Sequence, residues 1–175
     1  MSHLHISSLV AALAAFVTVL TAEARAGTAS ELDEVMAIEA AAYPFPWTRG
    51  NFIDSLASGY PARVLFDGDR RDHVIGYFVA MEGVDELHLL NLTVVPPEQG
   101  RGHGRAMLDA LAAMCRDLRS PQLWLEVRVS NTRAREIYRR YGFREVGVRR
   151  GYYPAAEGQR EDACVMSLDL SGGQL

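Results

Sequence analysis

The chain contains no lysine: all 18 of its basic residues are arginines. The lysine that closes a P-loop is therefore missing, and the permanent cations are all guanidinium groups. Cysteine is scarce. Cys115 and Cys164 are too few for a disulfide framework and read as small buried hydrophobes in a reducing compartment. No apolar run reaches the length of about 18 residues that a membrane-spanning helix needs. There is no internal repeat and no low-complexity segment. The net charge of -4 excludes a general nucleic-acid footprint. His88 and His103 fall at no recognisable metal-ligand spacing, so exposed histidines and no metal are expected.

The composition that remains is that of a globular protein. Apolar residues make up 49% of 175 residues and charged ones 23%, enough to bury the core of one domain. The charge is unevenly spread. Residues 101–150 carry 12 arginines against 5 acids, and the rest carries 6 against 17. The basic segment suits an anionic ligand and the acidic remainder a cationic one.

The N-terminus imitates a secretory signal, with an apolar run from Leu9 to Leu20 followed by Ala22-Glu23-Ala24. No Arg or Lys precedes the run, Thr18 and Thr21 interrupt it, and Phe16 to Leu20 has strand character. The expectation is a first strand over Phe16–Ala22. Residues 1–15 then form an extension or an early start, 16–170 a single domain in the cytoplasm, and 171–175 a frayed tail. A signal peptide is the competing reading.

Further along, Ser30–Tyr43 reads as a helix with acids in its first turn, broken at Pro44 and Pro46. Thr48 caps a second helix that ends before Gly59. Strands are expected at Arg63–Asp67, at His73–Met81 after an Asp67-Gly68-Asp69 turn, and at Glu86–Val95, where Pro96-Pro97 stops the ladder. Gly104–Leu118 is an amphipathic helix, Leu123–Val127 a strand, Asn131–Tyr141 a helix closed by Gly142, and Phe143–Arg149 and Ala163–Leu168 the last strands. The order predicts a mixed α+β domain: a mostly antiparallel twisted sheet with one βαβ crossover and helices on both faces.

The turn Pro96-Pro97-Glu98-Gln99-Gly100-Arg101-Gly102-His103-Gly104-Arg105 joins a strand to a helix. Its glycines let successive N–H groups converge, the helix adds its positive end, and Arg101 and Arg105 add charge. The product is a pyrophosphate cradle. A P-loop would end Gly-Lys-Ser/Thr, and a Rossmann turn spaces its last two glycines differently. Gln99-x-x-Gly102-x-Gly104 instead resembles the coenzyme A motif of the GCN5-related N-acetyltransferases, the GNAT superfamily. Leu123-Trp124-Leu125-Glu126-Val127-Arg128, Tyr141-Gly142-Phe143 and Gly151-Tyr152-Tyr153-Pro154 narrow the resemblance to the ribosomal-protein-alanine N-acetyltransferases, the RimI group. Phe45-Pro46-Trp47 and Arg160-Glu161-Asp162-Ala163 extend it.

The resemblance implies acetyl-CoA as co-substrate. It would be held by Leu92, Thr93 and Val94 of a splayed strand, by Gly100, Arg101, Gly102, His103, Gly104 and Arg105 of the cradle, and by Asn131, which reads equally as a plain helix cap. An N–H near Val94 would polarise the thioester. Glu126, a carboxylate between Leu125 and Val127, reads from the sequence alone as an exposed strand residue or the ion-pair partner of Arg128. The resemblance makes it the general base, and Tyr138 the general acid rather than a packed aromatic. Tyr152 and Tyr153 either wall the acceptor groove or pack in a hairpin.

The implied acceptor is the basic N-terminal peptide of a ribosomal protein, the alanine of S18. An α-amine titrates near about pH 8 and a lysine near about 10.4, so the α-amine needs the weaker base. The expected enzyme is a monomer or weak dimer that binds neither nucleic acid nor membrane. The alternatives are a GNAT enzyme acting on lysine side chains or a small amine, a non-catalytic acetyl-CoA-binding module, and a nucleotide-binding domain.

Overall fold

The computed structural model describes residues 17–20, 29–67 and 70–172. The expected N-terminal extension, most of the signal-like run and the tip of the turn at 68–69 lie outside them. The elements in chain order are β1 (Val17–Leu20), α1 (Ala29–Ala42), α2 (Arg49–Ala57), β2 (Ala62–Asp67), β3 (Arg70–Glu82), β4 (Glu86–Val94), α3 (His103–Asp117), β5 (Gln122–Arg128), α4 (Thr132–Tyr141), β6 (Arg144–Pro154) and β7 (Arg160–Asp169). Short 3-10 turns at Pro96–Glu98 and Ala156–Gly158 complete the list.

The order of strands and helices is the one expected. The expected strand of Phe16–Ala22 appears as the shorter β1, paired antiparallel with β2. Three strands outrun their sequence signals, β7 by starting at Arg160 rather than Ala163. β3 begins at Arg70, three residues before the apolar stretch, and β6 runs on to Pro154. Residues 144–150 of β6 are exposed on both faces, so no alternation marks the strand, and only pairing with β7 defines it.

The sheet has the order β1-β2-β3-β4-β5-β7-β6. Only β4 and β5 are parallel, as a crossover through α3 requires. From Tyr77 to Ala80 alternate residues of β3 serve opposite faces, and a register shift against β2 resets the phase at Ile75. Ile75, Phe78 and Ala80 pack with Met107, Leu108 and Leu111 of α3. Val74, Tyr77 and Val79 pack with Val35 and Ile38 of α1 and Phe52 of α2. Helices therefore cover both faces, and each fully buried aliphatic side chain contributes about 1.5–3 kcal/mol. The α2 start is fixed locally: Thr48 accepts from the Asn51 amide, and Asn51 answers through its side chain at 2.8 Å, a reciprocal cap. At the far end, Ser171 bonds back to Asp169 through its amide and hydroxyl.

One irregularity creates the functional cleft. Opposite β3, Val79 faces Asn91 while Ala80 faces Leu89, so Leu90 is the extra residue of a bulge in β4. The parallel pairing of β4 with β5 runs from Glu86↔Gln122 to Leu89↔Leu125 and stops at that point. Beyond the bulge the two strands splay.

Candidate active site

The splay leaves one edge of β4 without a strand partner. The Val95 amide donates to the Ile75 carbonyl of β3. Successive residues of a strand turn their N–H groups to opposite sides. The Val94 amide therefore faces the splay. The carbonyls on that edge are already engaged: Val94 O accepts from the Gln99 side chain at 2.9 Å, and Leu92 O from the Tyr43 hydroxyl at 3.3 Å.

Two clefts flank this edge. The first is lined by Leu92, Thr93 and Val94 of β4, by Gly100 and Gly104 of the glycine turn, and by Asn131, Arg133, Ala134, Ile137 and Tyr138 around α4. The second lies between the α1–α2 corner (Phe45, Pro46, Trp47), β4, the stretch Leu125–Arg128 of β5, and Tyr153–Pro154. They share Tyr43, Leu92, Asn131, Ala134 and Tyr138, and so adjoin at the splay as the two halves of a passage.

The glycine turn has the backbone of an anion cradle. Gly100 and Gly102 sit at φ +85 and +91, in the left-handed region where a side chain is strained. Gly102 is the N-cap of α3 and supplies no side-chain cap. The first amides of α3 thus keep no intrahelical acceptor and aim at whatever lies before the helix. Gln99 fastens the turn on both sides, donating to Val94 and accepting from Arg133 at 2.9 Å. Of the residues expected at the cofactor, Leu92, Thr93, Val94, Gly100, Gly104 and Asn131 line the first cleft. Arg101, Gly102, His103 and Arg105 belong to the same turn but not to the lining. Arg101 is turned to Glu98 at 2.8 Å. The histidines are not exposed as expected. His103 is largely buried, with Nε2 3.5 Å from Glu98 and Nδ1 without a partner, and His88 pairs with Glu86 at 2.9 Å. Among the described residues no three His, Cys, Asp or Glu side chains gather as a metal site.

Glu126 and Tyr138 come together across the passage. Alternation along β5 buries Leu123, Leu125 and Val127 and turns Glu126 to the other face, into the second cleft. Its side chain is 18% exposed, and its ion-pair partner is Arg149 at 2.8 Å, not Arg128. Arg128 instead serves Glu161 at 3.1 Å and the Pro154 carbonyl at 2.9 Å, and lies over the Tyr153 ring. Tyr153 donates to the Glu126 carbonyl at 2.8 Å and walls the second cleft. Tyr152 packs edge-on against Tyr153 under Arg149 and stands outside the lining.

Tyr138 rests on Phe143, with ring centroids 5.6 Å apart. Burial first, and then the nearby Tyr43 and Tyr153, push its hydroxyl well above the usual tyrosine range, so it carries its proton at neutral pH. Asn131 caps α4 by accepting from the Ala134 amide at 3.1 Å, as a plain helix cap would, and it also lines both clefts.

Sequence reasoning missed Tyr43, Glu39, Arg133 and Arg149. Glu39 is 1% exposed beneath the second cleft and accepts from the Trp47 amide at 2.8 Å, from Asn91 at 3.3 Å and, closely, from the Tyr77 hydroxyl. Its signal was present: Val35, Ile38, Glu39 and Ala42 share one helical stripe, and a carboxylate on an apolar stripe marks a buried polar site. Arg149 gave none, because a hairpin brings it back from 23 residues away in sequence.

Comparison with known proteins agrees with this geometry. The sequence profile of the Acetyltransferase (GNAT) family matches residues 32–143. The [ribosomal protein bS18]-alanine N-acetyltransferase of Haemophilus ducreyi is 33% identical over 140 residues, 80% of this chain and 94% of that protein. The Salmonella typhimurium protein of the same name is 36% identical over 81% and 93%. The crystal structure of the ribosomal-protein-S18-alanine N-acetyltransferase from Escherichia coli superposes with a TM-score of 0.74 at 32% identity, covering 91% of this chain and 99% of that one. No helix among the described residues is long and apolar enough to cross a membrane. The chain belongs to the GNAT acetyltransferases, in the group of the ribosomal-protein-alanine N-acetyltransferases.

Proposed function

We propose that the enzyme transfers the acetyl group of acetyl-CoA to the α-amine of a protein N-terminus, in particular the N-terminal alanine of ribosomal protein S18. The observation that carries the reading is the pair of clefts that adjoin at the splay. One end is a glycine turn with free helix amides and the other holds a carboxylate, and Tyr138 stands where they meet. The first end fits a pyrophosphate: two left-handed glycines and unpaired amides accept an anion that side chains would obstruct. The unpaired edge of β4 fits an extended amide-bearing arm, which adds to it as a strand would. Acetyl-CoA supplies an activated acyl group with a thiolate leaving group.

In this reading Leu92, Thr93 and Val94 hold the arm, Gly100 to Arg105 the pyrophosphate and Asn131 the wall between them. The Val94 amide polarises the carbonyl. Glu126 takes the proton that the amine loses as the C–N bond forms. Tyr138 gives a proton to the sulfur as the C–S bond breaks. An acceptor on the ribosome puts the work in the cytoplasm. Glu39 and Glu126 give the second cleft the sign that suits a cationic N-terminus.

The test is mass spectrometry of an Ala-led basic peptide, an N-blocked version and an acidic version after incubation with enzyme and acetyl-CoA, over a pH series. The basic free-amine peptide is expected to be acetylated fastest, with kcat/KM rising toward about pH 8 and then levelling. The raised hydroxyl of Tyr138 causes no alkaline decline in that range, because the acid form persists above the ordinary tyrosine pKa of 10.0. Equal rates on all three peptides, or a rise that continues toward about pH 10 as a lysine would give, refutes the assignment.

A further inference from the structure

Beneath the passage lies a buried polar chain drawn from three elements, whose hydrogen-bond directions play no part in the chemistry proposed above. It comprises Glu39 of α1, Tyr77 of β3, Asn91 and Thr93 of β4, and Tyr43 at the end of α1. Its proton directions are fixed by the groups at one end. A carboxylate only accepts, so Asn91 turns its Nδ2 to Glu39 and its Oδ1 to Thr93, 3.1 Å away. An amide oxygen also only accepts, so the single proton of Thr93 is committed to Asn91. The Tyr77 proton is committed to Glu39.

Thr93 Oγ1 then has only lone pairs left, and the Tyr43 hydroxyl at 3.1 Å is their donor. The alternative acceptor for that same proton is the Leu92 carbonyl at 3.3 Å. Either way the Tyr43 proton is engaged by β4, and only lone pairs of its oxygen remain for a donor in the passage. Burial also pushes the Tyr43 hydroxyl above its ordinary range, so it stays neutral.

Tyr138 is the opposite case. Its hydroxyl makes no hydrogen bond to another described residue, and the side chain lines both clefts, so its proton is available. Two tyrosines thus meet at the seam with opposite polarity, one able to donate and one able only to accept. Tyr153 has also committed its proton, to Glu126 O, but it lines the second cleft alone.

We propose that Tyr43 holds the attacking nitrogen by accepting one of its N–H groups at the seam, and that Glu39 is the positioning residue that keeps Tyr43 in this acceptor state. An amine or ammonium has N–H groups to give, which suits a hydroxyl oxygen whose own proton is engaged. With a second N–H directed at Glu126, the nitrogen is held at two points and its approach to the carbonyl carbon is restricted. The inference rests on the reading that an amine enters through the second cleft.

The experiment is steady-state kinetics of the wild type, Tyr43→Phe, Tyr138→Phe and Glu39→Gln, varying peptide and acetyl-CoA separately. A lost hydrogen bond to a charged group corresponds to a rise of about 10- to 100-fold in the peptide KM of Tyr43→Phe, with the acetyl-CoA KM unchanged. Tyr138→Phe is expected to lower kcat and leave the peptide KM in place. In Glu39→Gln the amide oxygen keeps Trp47 and Asn91, and the NH2 faces Tyr77. Tyr77 then turns its proton to the second lone pair of Thr93, 3.2 Å away, so that Thr93 accepts from two hydroxyls and holds the Tyr43 proton less firmly. A smaller rise in peptide KM is expected there, again without a change for acetyl-CoA. An unchanged peptide KM in Tyr43→Phe, or a joint rise of both KM values, overturns the role of Tyr43. A wild-type peptide KM in Glu39→Gln overturns the positioning role. If the wild type acetylates no protein N-terminus, the proposed function fails separately, and the same comparison is made on the amine it does acetylate.

Discussion

Gly102 and Gly104 stand two residues apart in the same turn, and the geometry demands opposite consequences from the same substitution. Gly102 sits at φ +91 with nothing within 4 Å of an added Cβ. Gly102→Ala therefore has no steric clash, only the backbone cost of a left-handed L-residue, about 1–2 kcal/mol. Restricting the unfolded chain returns about 0.4–1 kcal/mol of that. For a domain of this size each kcal/mol lowers Tm by roughly 2–4 °C, so a net loss of about 2 °C to 3 °C at mid-range, and at most about 6 °C, is expected.

Gly104 has ordinary helical φ, lies in the first turn of α3 and also has open space around an added Cβ. Alanine there gains helix propensity of up to about 1 kcal/mol, so Tm is expected to hold or rise. Gly104 lines the first cleft and Gly102 does not, so the added methyl intrudes where the pyrophosphate is proposed to bind. Calorimetry of both variants with and without coenzyme A measures the two effects separately. Gly102→Ala should lower Tm, and Gly104→Ala should weaken coenzyme A binding at unchanged or higher Tm. Full coenzyme A affinity in Gly104→Ala, or an undiminished Tm in Gly102→Ala, refutes the reasoning.

Glu126→Gln and Tyr138→Phe should each lower kcat by about 10²- to 10⁴-fold, the usual contribution of a positioned base or acid, with acetyl-CoA affinity retained. Normal turnover across pH in either variant removes its assigned role. Glu39→Ala should destabilise the fold by at least about 2 kcal/mol, because it strands the Trp47 and Asn91 N–H donors and leaves Tyr77 only the longer bond to Thr93. A denaturant midpoint equal to wild type would show that these groups find other partners.

Much of this molecule was legible in the letters because its signals are local. Thr48 and Asn51 carry their cap within one turn, the α3 stripe repeats every three to four residues, and Pro96-Pro97 can end a strand with no help from elsewhere. The glycines at 100 and 102 announce positive φ by the same logic. The chemistry at the ends of local elements was legible too, since a strand leading into a glycine-rich helix start offers free amides wherever it occurs.

What the letters left open belongs to contacts between distant segments. β6 carries no alternation because neither of its faces is buried, and only β7 makes it a strand. Arg128 adjoins Glu126 in the sequence, yet alternation and the hairpin give Glu126 to Arg149 and Arg128 to Glu161. The bulge at Leu90 that opens β4 from β5 shows only as a change of pairing register. The sequence by itself determined the elements, their order and the anion cradle, because propensity, capping and glycine conformation act over a few residues. Tertiary structure alone decided that the cradle and Glu126 open into one passage, and that Tyr43, Thr93 and Glu39 meet beneath it. Proton direction and charge pairing depend on which side chains the fold brings within 3 Å or so of one another, and separation along the chain does not encode that.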